Sequence, residues 1–503
     1  MTEEGQPAKR WKISGGEDGE EGWQHTEASN SLPILTRENT DAETFRQAVW
    51  DGVFNRRRET NRVPRAVVRA SCAAHVKETV QLAIAQQCRI SVRSGGHSYA
   101  AWSVRDDAIL LDLGGLKDLA YDAETKIVSC GAGLTGEQVN DFLRGHGRMF
   151  AGGHCPDVGL GGFLLQGGMG WNAKNWGWAC ESIVAVDVVA ADGREIYCST
   201  AEHPDLFWAA RGAGPGFPGI VTRFYLLTRP LLHMYNCVYV YPKTSFRAVL
   251  QWVIDTCPTA DPDTEIVCVS KRDGEDIKVI AAFLTFKGDR ETAEAVMRPV
   301  HDSRPPGADM ALFCGETGLP EEYGRQRREQ PPGHRYCADD AYISNDVADV
   351  PAVLEEAFMT LPTQRSVALY LSMNPTSRRP LADMALSMQS DHYFAVYAVW
   401  DDEGENPQDE NGKAGANREE EARCVDWVRD VMKGVGRHSV GSYLGDADFQ
   451  QRTTRFWSPE NGERLRLVRK IWDPEGRICG YLVDAADAAE HQELKNEFEW
   501  LLP

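Results

Sequence analysis

The sequence predicts an α+β fold whose second half is built on an antiparallel sheet covered by helices. Three observations carry this. Up to about residue 230, short β-branched runs alternate with glycine clusters and amphipathic helices. From about 231 to 435, period-2 strands alternate with helical stretches, the pattern of an antiparallel sheet under helices. Between the apolar runs of IVAVDVVAADGREIYC, Asp192-Gly193 is a strong hairpin signal.

Taken in order, residues 1–40 read as a polar arm and residues 41–58 (DAETFRQAVWDGVFNRRR) as a short helix. AVVRA (66–70) reads as a strand. His75–Gln86 reads as a helix carrying Val76, Val80, Ala83 and Ile84 on one face. Strands follow at 89–93 (RISVR), which ends at Gly95 and Gly96, at 108–113 (AILLDL) and at 126–130 (KIVSC). In the second half SFRAVLQWVIDT (245–256) reads as a helix. EIVCVS (265–270), IKVIAAFLTF (277–286), RSVALYLSM (365–373) and HYFAVYAVW (392–400) read as strands, interrupted by Pro-Pro-Gly loops at 305–307 and 331–333. Residues 401–422 read as an acidic solvated loop. Helices are expected at 460–471 and, polar in character, near 486–500.

Composition narrows the function. The 503 residues are 42% apolar and 26% charged, which suits a folded chain with a sizeable core. Fifty-four Lys+Arg against 75 Asp+Glu leave a net charge of −21, which argues against a nucleic acid or an anionic membrane surface as partner. Part of that acidity is local: residues 1–30 hold seven acids and three bases, and residues 401–422 hold nine acids and two bases. The 13 cysteines are scattered with no C-x-x-C, so neither a disulfide framework nor a metal site is expected. With no apolar segment at the start and no membrane-length run, the expectation is an intracellular, cytoplasmic protein.

The glycines carry the chemistry. Gly131-x-Gly133-x-x-Gly136 meets the local form of a dinucleotide fingerprint. The acid about 20 residues on should close a second strand. Asp157, near that spacing, instead sits inside GGHCPDVGLGG, so a tight strand-to-helix turn is the plainer reading. SVRSGGHSYAAWS (91–103) and GGHCPDVGLGGFLLQGGMGW (152–171) are stronger. Adjacent glycines after a strand let successive backbone N–H groups point inward and hold a pyrophosphate without lysine. Six glycines between Gly159 and Gly170 imply backbone pressed against a flat ligand. Each cluster holds one reactive side chain, His97 and Cys155.

SGGHSY followed by GGHCPDVGLGGFLLQGGMGW resembles the FAD-linked oxidases of the vanillyl-alcohol oxidase / p-cresol methylhydroxylase superfamily, and within it the berberine-bridge-enzyme-like branch. DLFWAARGAGPGFPGIVTRF (205–224) and RFWSPENGERLRLVRKIWDPEGRI (455–478) resemble two further landmarks of that branch. The resemblance implies a two-part FAD-binding domain, residues 41–230 completed by 435–503, enclosing a substrate-binding domain at 231–434. It implies FAD bonded covalently through His97 to the 8α-methyl and through Cys155 to C6. Ser94, Gly95, Gly96, Ser98 and Tyr99 would wrap the pyrophosphate. Gly159, Gly161, Gly162 and Gly168 would lie along the cofactor, Ile220 and Val221 near the adenine, and Asn461 is retained from a family segment. Val158 matches members that admit dioxygen to the flavin.

The sequence also departs from the branch. Where many members have YxNYL, this chain reads SVGSYLGDAD, with Val440 and Ser442 at the tyrosine and asparagine positions and Trp457 in place of a later tyrosine. A substitute base should come from HYFAVYAVW, whose alternation places Tyr393, Ala395, Tyr397 and Val399 on one face and His392, Phe394, Val396, Ala398 and Trp400 on the other. Tyr397 and His392 are the candidates, of which at most one faces the ring; His154 and His438 are further possibilities. The expected function is oxidation of a small organic metabolite (phenolic, alcohol or alkaloid-like), with dioxygen reduced to hydrogen peroxide. The alternatives are a dehydrogenase using another acceptor, or a flavin-binding protein without redox turnover.

Overall fold

Near-continuous apolar runs build the first sheet, as expected for strands covered on both faces. In the computed structural model, which describes residues 31–57, 62–401, 413–447, 452 and 454–480, Ala66–Arg69 and Ile90–Arg93 flank Ile109–Asp112 in parallel. Val67, Val68, Leu110 and Leu111 are fully buried. Ile34–Thr36, inside the stretch that reads as a polar arm, pairs antiparallel with Ala66–Val68 at the edge. The helix Ala73–Gln86 buries Val76, Thr79, Val80 and Ala83 at helical spacing, while Ile84, expected on the same face, is exposed.

A second, antiparallel sheet has the spatial order Leu119–Asp122, Ile127–Gly131, Gly219–Leu227, Ile183–Ala190, Glu195–Ser199. Its last two strands are the hairpin that Asp192-Gly193 announces, with Gly193 at φ +86° in the turn.

The third sheet is the largest. Its eight antiparallel strands run, in spatial order, Met310–Thr317, His233–Pro242, Asp276–Lys287, Thr264–Asp273, Val367–Ser372, His392–Asp401, His334–Ile343 and Ser439–Gly441. One face packs beneath the helices Phe246–Thr256, Val350–Met359 and Lys413–Val435. The other contributes Tyr393, Ala395, Tyr397 and Val399 to a core shared with the first two sheets. After the helix Pro459–Trp472 the chain returns to the first sheet, where Ile90 N–H donates to Arg477 O and Cys479 N–H to Ile90 O (both 2.8 Å).

Two local expectations are corrected. The helix expected over 41–58 stops at Trp50, because Phe54 and Asn55 turn inward to brace the glycine loop: Phe54 N–H donates to Gly96 O (2.9 Å) and Asn55 Nδ2 to Tyr99 O (2.7 Å). The acidic loop expected through 422 gives way at Lys413 to a helix, which tolerates a charged face. On it Glu421 pairs with Arg57 and Arg335, both at 3.1 Å. The expected helix near 486–500 and the first 30 residues lie outside the described residues. Among the described residues no helix is long and apolar enough to cross a membrane.

Candidate active site

Two glycine loops meet beneath the large sheet. The first leaves the strand Ile90–Arg93, whose last side chain anchors it: the Arg93 guanidinium, 3% exposed, bonds Asp112 (2.7 Å) and the carbonyls of Val49 (2.5 Å) and Ala48 (3.0 Å). Gly96 has φ +64°, and a Cβ there would meet Gly52 O at 1.8 Å. The second loop runs from Gly152 into the short helix Leu160–Leu165. Gly95 and Gly159 touch backbone to backbone; a Cβ on Gly159 would lie 2.3 Å from Gly95 N. Ser94 Oγ stitches the junction, donating to Ala132 O (2.7 Å) and accepting from Gly161 N–H (3.3 Å). Gly95, Gly159 and Gly161 thus serve loop-on-loop contact, whereas Gly162 has nothing within 4 Å of where its Cβ would be.

The loops floor a cavity of about 620 Å³, within the range of small-molecule sites. Of the residues expected at the cofactor, Ser94, Gly95, Gly96, His97, Ser98, Tyr99, Cys155, Val158, Gly159, Gly161, Gly162, Ile220 and Val221 line it. Gly168 and Asn461 do not. Gly168 takes φ +76° in a turn against Phe163 and Ala179, and the Asn461 amide is spent on the carbonyls of Met384 (2.9 Å) and Ala385 (3.1 Å).

The imidazole and the thiol both face this space. His97 stacks on Phe54 (centroids 3.9 Å, 18° between planes), and its Nε2 lies 3.2 Å from Asp157 Oδ1. Burial works to raise the Asp157 carboxyl, but the His97 hydrogen bond and charge outweigh it and hold the group below the usual range. Cys155 Sγ donates to Gln330 Oε1 (3.2 Å). Its burial, and then the negative charges of Asp157 and Asp446, push the thiol up, so it stands as S–H. Ser91 Oγ, fully buried behind the same cavity wall, bonds no group among the described residues.

Of the two candidate bases, the alternation of His392–Asp401 separates them. Tyr397 lines the cavity, whereas His392 is corrected: it lies on the opposite face, where its Nδ1 meets Tyr370 OH (2.7 Å) and burial lowers its proton affinity. His438 is exposed and away from the site. His154 lines the cavity, its Nε2 2.9 and 3.0 Å from the two oxygens of Glu265. Burial disfavours the imidazolium, but the Glu265 charge and hydrogen bond outweigh it and raise His154.

Sequence reasoning missed Asp446. It lines the cavity, accepts from Tyr393 OH (2.5 Å) and is hydrogen-bonded to Tyr397. Burial raises its carboxyl although both phenols pull the other way. The same burial, and then the Asp446 charge, push Tyr397 well above the ordinary phenol range, so Tyr397 is a donor and not a phenolate. Val440 is exposed and outside the cavity, while Tyr443 and Asp446 from the same segment line it. Glu265 had a signal: an acid on the same period-2 face as Val267 and Val269. Gln330 had none.

Residues 64–199 match the FAD binding domain family, and with the relatives that follow this makes the class an FAD-linked oxidoreductase. The chain is 37% identical to the FAD-linked oxidoreductase penO of Penicillium crustosum over 92% of its own length and 98% of that protein. Its fold matches Physcomitrella patens BBE-like 1 (TM-score 0.74, 17% identity, 89% of this chain and 95% of that one) and berberine bridge enzyme from Eschscholzia californica (TM-score 0.74, 16% identity, 90% and 96%). The chain belongs to the FAD-linked oxidoreductases, and its fold is that of the berberine-bridge-enzyme-like proteins.

Proposed function

We propose that the protein is an oxidase whose FAD is bonded covalently to both His97 and Cys155, acting on a small organic alcohol, phenol or amine. The observation that supports this reading is that an imidazole and a thiol, one from each glycine loop, line a single cavity floored by backbone. Residues 41–230 and 435–503 would hold the cofactor and residues 231–434 cover it. The His97 tether would replace one C–H of the 8α-methyl and the imidazole N–H, and the Cys155 tether the C6–H and the S–H, with two electrons and two protons from each passing to dioxygen. Bound there, FAD would supply the hydride acceptor for a C–H bond beside oxygen or nitrogen, with dioxygen as the final electron acceptor and hydrogen peroxide as its product.

The chain's own residues supply orientation and proton transfer. Asp446 takes the substrate O–H or N–H proton, since burial raises its proton affinity toward that of a useful base. Tyr393 and Tyr397 hold its oxygens in place. Glu265 holds the His154 ring in place on the cavity wall as a hydrogen-bond donor, the two forming a neutral ion pair when the imidazole is protonated.

The test is acid precipitation of the purified protein. A yellow wild-type pellet is expected; His97→Ala and Cys155→Ala should each keep the colour and the double variant should lose it. A colourless wild-type pellet refutes the tethers, and dye reduction without peroxide refutes the oxidase reading.

A further inference from the structure

The cavity roof is a sheet face, and its register can be read row by row. One row runs across four adjacent strands as Val238, Ala282, Val267 and Leu371, directly paired in turn. Two residues along, the next runs Val240, Ile280, Val269 and Leu369. All eight line the cavity, and the alternate residues of these strands, such as Cys237, Cys268 and Tyr370, are buried on the helix-covered side. With strands about 4.8 Å apart and about 3.4 Å rise per residue, the two rows make an aliphatic plate roughly 14 Å by 7 Å. Its polar groups stand at the borders. Asn236 and Glu265 bound one end and Lys271, ion-paired to Glu329, the other. Tyr393 and Tyr397 face Leu371 and Val367 on the neighbouring strand and carry Asp446.

We propose that the substrate is a saturated or largely saturated fused-ring molecule with one hydroxyl or amine at its edge, its hydrocarbon body lying on this plate while that group reaches Asp446. The inference deepens the oxidase reading and rests on it. A sugar would bring a hydroxyl on nearly every carbon against eight side chains that can bond none of them. A single alkyl chain would cover one furrow of a plate four strands wide, leaving the rest wet. The plate holds no aromatic ring, so stacking does not favour a flat aromatic body over an alicyclic one.

The test uses the flavin-loaded protein with androstanol, decanol and glucose as probes, binding being read from flavin absorbance and tryptophan fluorescence. Androstanol should bind saturably, decanol at least about tenfold more weakly, and glucose not at all. Leu369→Asp should weaken androstanol at least about tenfold with flavin content unchanged. Val269→Thr, nearly isosteric and therefore safe for folding, should weaken it severalfold. Flavin-loaded protein that ignores androstanol, that prefers decanol or glucose, or whose affinity for androstanol is unmoved by both substitutions, overturns the proposal while leaving the oxidase reading intact. Protein that carries no flavin overturns that reading itself.

Discussion

Gly159→Ala is the sharpest test of how the two loops meet. The added methyl would lie 2.3 Å from Gly95 N, 2.6 Å from Gly95 Cα and 2.7 Å from Ser94 Oγ, where ordinary contact begins near 3.4 Å. Its nearest neighbours are backbone and cannot swing away as a side-chain tip would, so the loops must part by about 1 Å. Overpacking of this kind costs about 1–3 kcal/mol, and the upper end applies where backbone has to move. The same displacement shifts the segments carrying His97 and Cys155 relative to one another, so flavin incorporation should fall together with stability. Gly162→Ala is the control: its methyl meets nothing within 4 Å and enters the cavity instead. It should fold with wild-type stability, to within about 0.5 kcal/mol, and alter only the flavin spectrum or its loading. The assay is urea unfolding of each purified variant beside its ratio of flavin to protein absorbance. A Gly159→Ala protein with unchanged midpoint and full flavin content would refute the account of the loop contact.

Two further predictions concern pH. His154 is raised by Glu265, so the pair's contribution is fully present below the unfolded histidine value near 6.5 and is lost as pH rises through the folded one. Glu265→Gln should therefore destabilise by about 1.5–3 kcal/mol at pH 6 and by clearly less at pH 9.5, measured by urea unfolding at both values; an equal loss at both would disprove the coupling. Asp340 is raised by burial and then by the Asp339 charge, and its Oδ2 has no partner among the described residues. A carboxyl raised in the fold contributes most below its unfolded value near 4, and that contribution declines as pH climbs toward the folded value. Asp340→Asn should thus gain stability relative to the parent between pH 5 and pH 8, and a difference that stays flat across that interval would contradict the assignment.

What was legible in the sequence was whatever a local pattern encodes. Alternation in HYFAVYAVW is strict because one face packs under helices and the other turns toward the cavity, so it separated Tyr397 from His392 without coordinates. The hairpin at Asp192-Gly193 and the helix face of Val76, Val80 and Ala83 were readable for the same reason. Contacts between distant segments were not. The glycines suggested a ligand, yet at Gly95 and Gly159 the neighbour is the other loop, 64 residues away in the chain, a fact that no local spacing records. Gly168 and Asn461 lie off the cavity lining, against Phe163 and Ala179 and against the carbonyls of Met384 and Ala385, contacts that no local spacing records either. Asp446 escaped notice because its role depends on two phenols from a different strand.

That last residue bears on how a chain with valine at the family's tyrosine position could still move a proton. A phenol serves as a base only where something lowers its proton affinity, and a nearby cation is the usual means. Around Tyr397 the charged neighbours are Asp446 and Asp340, both acidic, and with burial they drive it the other way. Moving the tyrosine from one strand to the next would therefore not restore a phenolate. A carboxyl in the same surroundings behaves oppositely: the burial that disables the phenol as a base raises the carboxyl from an ordinary aspartate toward the range where proton transfer is efficient. The two phenols then act as donors that keep the carboxylate aimed and partly offset the cost of its charge. On the proposed reading, one environment favours Asp446 over Tyr397 as the proton acceptor, and this carboxyl would do the work that a tyrosine does in the branch the sequence resembles.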